Sequence, residues 1–137
     1  MLAMDREPLP GIVLVSHSAA IADGLAAMAA EVAGGEVRII AAGGGPGGTL
    51  GTDGGRVADA VREADAGAGV VILADIGSAV LSVRAVLNDG MADGVVAVLA
   101  DAPLVEGAIA AAVTASVGGD CEAVRSAAED AWNVRKL

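Results

Sequence analysis

The stretch Gly11-Ile12-Val13-Leu14-Val15-Ser16-His17-Ser18 decides how this chain folds. Gly11 to Val15 reads as a strand with an apolar residue at every step after the glycine, the pattern of a strand covered on both faces. Polar, reactive residues follow at once, and then apolar residues return at helical spacing: Ile21, Leu25, Met28, Ala29 and Val32. Gly34-Gly35 ends that helix. A buried strand that runs through a short polar turn into a helix is the opening unit of an open α/β sheet.

Working outward, the unit repeats. Val37 to Ala41 is the second expected strand. Between Ala42 and Thr52, six of eleven residues are glycine and one is proline, so no regular element is expected there. A helix is predicted from about Gly54 to Ala64, with Asp53 as a possible cap. Val70 to Ala74 is the third strand, and Ser78 is placed to cap a helix running to about Asn88. Val95 to Ala100 is the fourth, broken at Asp101-Ala102-Pro103. An Ala-rich helix opening at Leu104 or Val105 ends near Gly118-Gly119. Asp120 is a plausible N-cap for a last helix reaching Arg135, with Glu122, Arg125 and Glu129 in solvent. Met1 to Pro10 reads as a frayed lead-in, and 11–137 as one domain. The expected fold is an open, mainly parallel four-stranded α/β sheet with helices on both faces.

Composition removes several functional classes. Apolar residues make up 55%, but 32 alanines and 20 glycines mean that little of this is bulky. The longest stretch without a charged side chain is Pro8 to Ala22, fifteen residues, too short for a membrane span of about 20. The first ten residues carry Asp5 and Glu7 and no basic region, so no signal peptide is expected. The single cysteine, Cys121, allows no intrachain disulfide, and a cytoplasmic setting is expected. Eight basic and eighteen acidic residues give a net charge of −10, which repels a phosphate backbone. With no Tyr, no Phe and one Trp, the chain also lacks stacking platforms for bases, so nucleic acid is not an expected partner.

Ligands of open α/β sheets sit beyond the carboxyl ends of the strands. Here those ends carry Ser16-His17-Ser18, the glycine loop Gly43 to Gly48, Asp75-Ile76-Gly77-Ser78 and Asp101. His17 is the only histidine and stands just ahead of a helix N-terminus, where free amides and the helix dipole favour an anion. If the first and third strands are neighbours, Asp75 can reach it. A carboxylate on one ring nitrogen fixes the tautomer and leaves the other as nucleophile. The plainer alternative is a histidine that bonds a backbone carbonyl and does nothing else.

Competing chemistries lack their residues. A serine hydrolase needs G-x-S-x-G with the histidine elsewhere, whereas here the histidine holds the turn; Ser16 and Ser18 are better suited to capping the helix or bonding a phosphate oxygen. A P-loop needs G-K-[ST], and the only lysine is Lys136. The glycine loop is expected to be a flexible surface connection. A receiver-type domain would need an acidic pair at the first strand end and a lysine at a later one. One histidine among scattered aspartates matches no metal-ligand spacing, and neither a metal nor a cofactor is expected. What remains is a nucleophilic histidine oriented by an aspartate.

Four motifs then fall in order at these edges: Val15-Ser16-His17-Ser18, Gly51-Thr52-Asp53, Asp75-Ile76-Gly77-Ser78-Ala79 and Ala102-Pro103-Leu104-Val105-Glu106-Gly107. Together they resemble the phosphocarrier subunits of phosphotransferase-dependent dihydroxyacetone kinases, whose domain is similar to mannose-type enzyme IIA. The resemblance spans roughly Gly11 to Trp132. It implies strand order 2-1-3-4, a homodimer and phosphotransferase activity. It further implies that His17 accepts a phosphoryl group from phospho-HPr, a separate protein, and passes it to ADP on the nucleotide-binding kinase subunit. In that reading Asp75 orients His17, and Ser16, Ser18, Gly77 and Ser78 line the phosphate site. Two other readings stay open: an enzyme IIA of a sugar-transporting phosphotransferase system, and a noncatalytic α/β binding module.

Overall fold

The computed structural model describes residues 7–137; Met1 to Arg6 of the expected lead-in lie outside the described residues. Its strands are β1 (Gly11–Ser16), β2 (Ile39–Gly43), β3 (Val70–Ala74) and β4 (Ala97–Leu99). Its helices are α1 (Ala19–Ala33), α2 (Gly54–Ala64), α3 (Gly77–Asn88), α4 (Leu104–Ser116) and α5 (Cys121–Asp130). The strands form one parallel sheet in the order β2-β1-β3-β4. This is the architecture and order expected.

Alternation along the central strands divides the core. Ile12 and Leu14 of β1, with Val71 and Leu73 of β3, face α1, α4 and α5 through Leu25, Ala29, Ala108, Ala112 and Val124. Val13 and Val15, with Val70 and Ile72, face α2 and α3 through Val57, Val61, Val83 and Val86. Every strand residue named here is fully buried, which is why β1 and β3 read as continuous apolar runs. Alanine lines the helices of the first face, so they sit close to the sheet with little side-chain bulk between.

Several boundaries differ from the expectation, each for a tertiary reason. β2 starts and ends two residues later than predicted, because pairing with β1 extends to Ala42 against Val15 and Gly43 against Ser16. Val37 is still buried, but as part of the connection into the strand. β4 is shorter than Val95 to Ala100; as an edge strand it pairs only with β3, through Ala97, Val98 and Leu99. The last helix stops at Asp130 and gives way to a 3-10 turn over Ala131–Asn133. That turn carries Trp132, whose indole Nε1 donates to the Asp101 carbonyl at 3.0 Å. Glu129 is not a purely solvated residue: it accepts from Arg125 at 2.8 Å and from the Asp101 amide at 3.0 Å.

The glycine loop also departs from the expectation of a flexible surface connection. Gly43, Gly44 and Gly45 are buried, and the short 3-10 turn over Pro46–Gly48 that follows them is exposed. At Gly43 a Cβ would stand 2.7 Å from the Ala19 Cα and 2.8 Å from the Ser18 carbonyl oxygen. Only glycine lets the end of β2 pass this close to the start of α1.

Candidate functional site

β1 and β3 are neighbours in register, with Val15 opposite Ala74, so the residues just past them meet. Four hydrogen bonds converge on the Asp75 carboxylate. Oδ2 accepts from the Ser16 hydroxyl at 2.8 Å and the His17 amide at 3.0 Å. Oδ1 accepts from the Ile76 amide at 2.7 Å and faces His17 Nδ1 at 2.9 Å. Burial alone pushes this carboxyl up; the hydrogen bonds from the His17 amide and ring, the Ile76 amide and the Ser16 hydroxyl outweigh it and hold Asp75 below the ordinary 3.8. Asp75 is therefore ionised at neutral pH and can only accept. Nδ1 must carry the ring proton, and the Nε2 lone pair is left free to act.

Nε2 meets the Ser78 hydroxyl at 2.5 Å. An unprotonated Nε2 accepts, so Ser78 is the donor. The His17 and Asp75 side chains retain 23% and 18% exposure, so the site opens to solvent at the sheet edge. The first amides of two helices lie here as well, at Ala19 and Ala20 of α1 and at Gly77 and Ser78 of α3. Like all such amides they lack an intrahelical acceptor and favour an anion.

The other expected site residues divide by position. Ser16 is fully buried, its hydroxyl donating to Asp75 and accepting from the Ser18 amide at 3.1 Å. Expected among the phosphate-binding groups, it stands instead behind the carboxylate, because strand pairing carries β1 one residue further than its apolar run. Ser18 caps α1, accepting from the Ile21 amide at 3.3 Å. Ser78 was expected to cap α3, but the cap position falls on Ile76 and no side chain fills it; the helix starts at Gly77, which turns Ser78 toward the histidine. Asp53 caps α2 through the Gly55 and Arg56 amides, and Asp120 caps α5. Asp101 makes no hydrogen bond to His17 but lines a cavity together with Asp75, Ile76 and Gly77.

Two contacts escaped the sequence reading. The Gly51 amide donates to the His17 carbonyl at 3.0 Å. Thr52 Oγ1 lies 2.6 Å from Ser82 Oγ, which donates in turn to the Ser78 carbonyl at 3.1 Å. The available signal was the spacing of Ser78 and Ser82, four residues apart on one helix face.

The sheet order and the aspartate-bound histidine at its edge define an open α/β domain organised around one imidazole. Residues 11–125 match the EIIA-man model, described as the PTS system fructose IIA component, and the chain belongs to that family. Among curated proteins it is 41% identical over 116 residues to "PEP-dependent dihydroxyacetone kinase 2, phosphoryl donor subunit DhaM" of Listeria innocua, covering 82% of this chain and 91% of that protein. It is 35% identical to "PTS-dependent dihydroxyacetone kinase, phosphotransferase subunit DhaM" of Lactococcus lactis, covering 87% and 93%. Against the DhaM subunit of Providencia stuartii the identity is also 35%, over 92% of this chain but only 27% of that longer protein. Among solved structures, the unknown-function protein EF1359 superposes with a TM-score of 0.77 at 38% identity, covering 89% of this chain and 94% of that one. A sigma-54 interaction domain protein from Enterococcus faecalis reaches 0.68 at 15% identity over 93% of each chain, a likeness of fold alone. No helix among the described residues is long and apolar enough to cross a membrane.

Proposed function

We propose that this chain is a phosphohistidine carrier, one domain over 11–137, that takes a phosphoryl group from phospho-HPr and delivers it to ADP on the nucleotide-binding subunit of a dihydroxyacetone kinase, in the cytoplasm. The observation that carries this reading is the 2.9 Å contact between His17 Nδ1 and an ionised Asp75. It leaves Nε2 as the nucleophile. In the first step Nε2 forms a bond to phosphorus as the donor's phosphorus–nitrogen bond breaks. The Nδ1 proton stays in place, and the positive charge that develops on the ring is stabilised by Asp75. In the second step an ADP phosphate oxygen attacks the same phosphorus, and the Nε2 bond electrons return to the ring as a lone pair. Such transfers depend mainly on positioning and charge stabilisation. Ser78, freed from Nε2, and the amides of Gly77 and Ser78 are the proposed partners of the phosphoryl oxygens, with Ser18 at the edge. Ser16 acts through Asp75.

The names of the DhaM relatives support this acceptor, while the fructose IIA description of the family favours a sugar-transport role as the second reading. One labelling series separates them. The protein should take up one phosphoryl group per chain from phosphoenolpyruvate when enzyme I and HPr are present, and none from ATP. The adduct should be acid-labile and absent from His17→Ala. Discharge by the ADP-loaded kinase subunit is the expected outcome. Direct labelling by ATP, or an acid-stable serine phosphate, would overturn the carrier reading; labelling without discharge would point to the sugar transporter.

A further inference from the structure

We propose that Thr52 and Ser82 form a positioning pair that holds the Ser78 backbone as a fixed pivot, about which the Ser78 hydroxyl turns between Nε2 and the incoming phosphoryl group. The inference rests on the reading of His17 as phosphoryl carrier. Its starting point is the direction of the hydroxyl chain. Ser82 Oγ donates to the Ser78 carbonyl one turn earlier at 3.1 Å, which uses its single proton. At 2.6 Å from Ser82 Oγ, Thr52 must then be the donor. The chain therefore runs one way, from Thr52 through Ser82 to the Ser78 carbonyl, and each hydroxyl has its donor role fixed.

The neighbouring residue grips the other half of the site. Gly51 donates its amide to the His17 carbonyl at 3.0 Å, with φ at +138°. Residues 51 and 52 thus hold the backbone of the histidine and, through Ser82, the backbone of the serine facing it. This matters because Ser78 Oγ sits at hydrogen-bonding distance from Nε2, where phosphorus must bond. The hydroxyl has to leave that position during transfer and return after it. Its carbonyl is anchored by a bond that does not involve Oγ, so the side chain can rotate while the helix start, with its amides, stays in place. A reacting group displaced by about 1 Å can cost a hundredfold in rate, so a fixed pivot bears directly on transfer.

The test uses the full chain with Thr52→Val, which keeps the shape and removes the hydroxyl, Thr52→Ser, which keeps it, and Ser82→Ala. Three quantities are read: the rate of uptake from phospho-HPr, the lifetime of the phosphohistidine, and the ¹⁵N resonance of Nε2 in the unphosphorylated protein. The last is unambiguous because His17 is the only histidine. Thr52→Val and Ser82→Ala should each slow uptake about threefold to tenfold, shorten the adduct's lifetime and shift the Nε2 resonance. The double variant should do no more than either alone, and Thr52→Ser, which keeps the donor, should stay close to the wild type in all three readouts. Wild-type rates and an unmoved resonance in Thr52→Val, even with a lower melting temperature, would overturn the pivot and leave the pair as ordinary packing. Should Thr52→Val fail to fold, Ser82→Ala decides by the same readouts. An unlabelled wild-type protein would count against the carrier reading instead, and the resonance would still decide whether the pair positions Ser78.

Discussion

Asp75 accepts four hydrogen bonds, and its replacement by asparagine changes more than charge. An amide offers one acceptor oxygen and an NH₂ group, so at least one of the Ser16, His17 and Ile76 donors would meet another donor. Asp75→Asn should therefore fold but lose about 1–3 kcal/mol of stability, and slow phosphoryl uptake by about 10²–10⁴-fold. Stopped-flow labelling and urea denaturation check the two parts. The pH dependence has a defined sign. Asp75 titrates lower in the folded chain than its ordinary 3.8, so its contribution is complete above the unfolded value and is lost as pH falls through the folded one. The part of the stability gap between the wild type and Asp75→Asn that the carboxylate's charge supplies should shrink as the pH falls below about 4. A gap that persists unchanged at pH 3 would show that the carboxylate's charge does not underlie it.

At the scale of elements, the glycine loop and the start of α1 determine each other's position. Gly43 ends β2, pairs with Ser16 and passes under Ser18 and Ala19; its carbonyl accepts from Arg56 of α2 at 2.9 Å. A methyl group there would strike backbone atoms, which cannot rotate away. Gly43→Ala should cost about 1–3 kcal/mol, and because Ser18 follows His17 directly, it should also slow labelling. Wild-type stability and labelling in Gly43→Ala would mean that β2 and α1 can separate without disturbing the histidine. Gly47→Ala makes a useful contrast. Its φ of +68° strains any other residue, but no neighbouring atom lies within 4 Å of the added carbon, so stability should fall while the labelling rate holds.

Across the whole molecule, the apolar surface is uneven. Val113 of α4 is 44% exposed, whereas Val83 of α3 is fully buried. A further stripe runs along α1, where Ile21, Met28 and Val32 stand 46–54% exposed. Such an apolar stripe favours burial against a second copy, and that burial must outweigh the repulsion between two chains of net charge −10. The protein is expected to be a homodimer, and light scattering at micromolar concentration should give twice the chain mass. Met28→Glu should shift that mass toward the monomer with little change in melting of the single chain. A monomeric wild type would overturn the expected dimer.

The amino-acid order alone determines the sheet, its two covered faces and the candidate nucleophile. Continuous apolar runs at Ile12 to Val15 and Val70 to Ala74 leave few folds besides a covered parallel sheet, and the histidine after the first of them stands out as the single imidazole of the chain. The caps at Asp53 and Asp120 were equally legible, since capping is local chemistry between residues two or three apart. Sequence could not reveal the helical face of α1: Ile21, Met28 and Val32 share a helical period with Leu25, yet Ala22, Leu25, Ala29 and Ala33 are the residues that meet the sheet. In an alanine-rich helix small and large apolar residues compete for the interior, and the close approach of neighbouring helices selects the small ones. The ends of β2 and β4, the burial of Ser16 behind Asp75, and the path from Thr52 through Ser82 to Ser78 belong to tertiary structure for a related reason. Each depends on which strand lies beside which, and a hydroxyl's partner thirty residues away leaves no periodic trace in the chain.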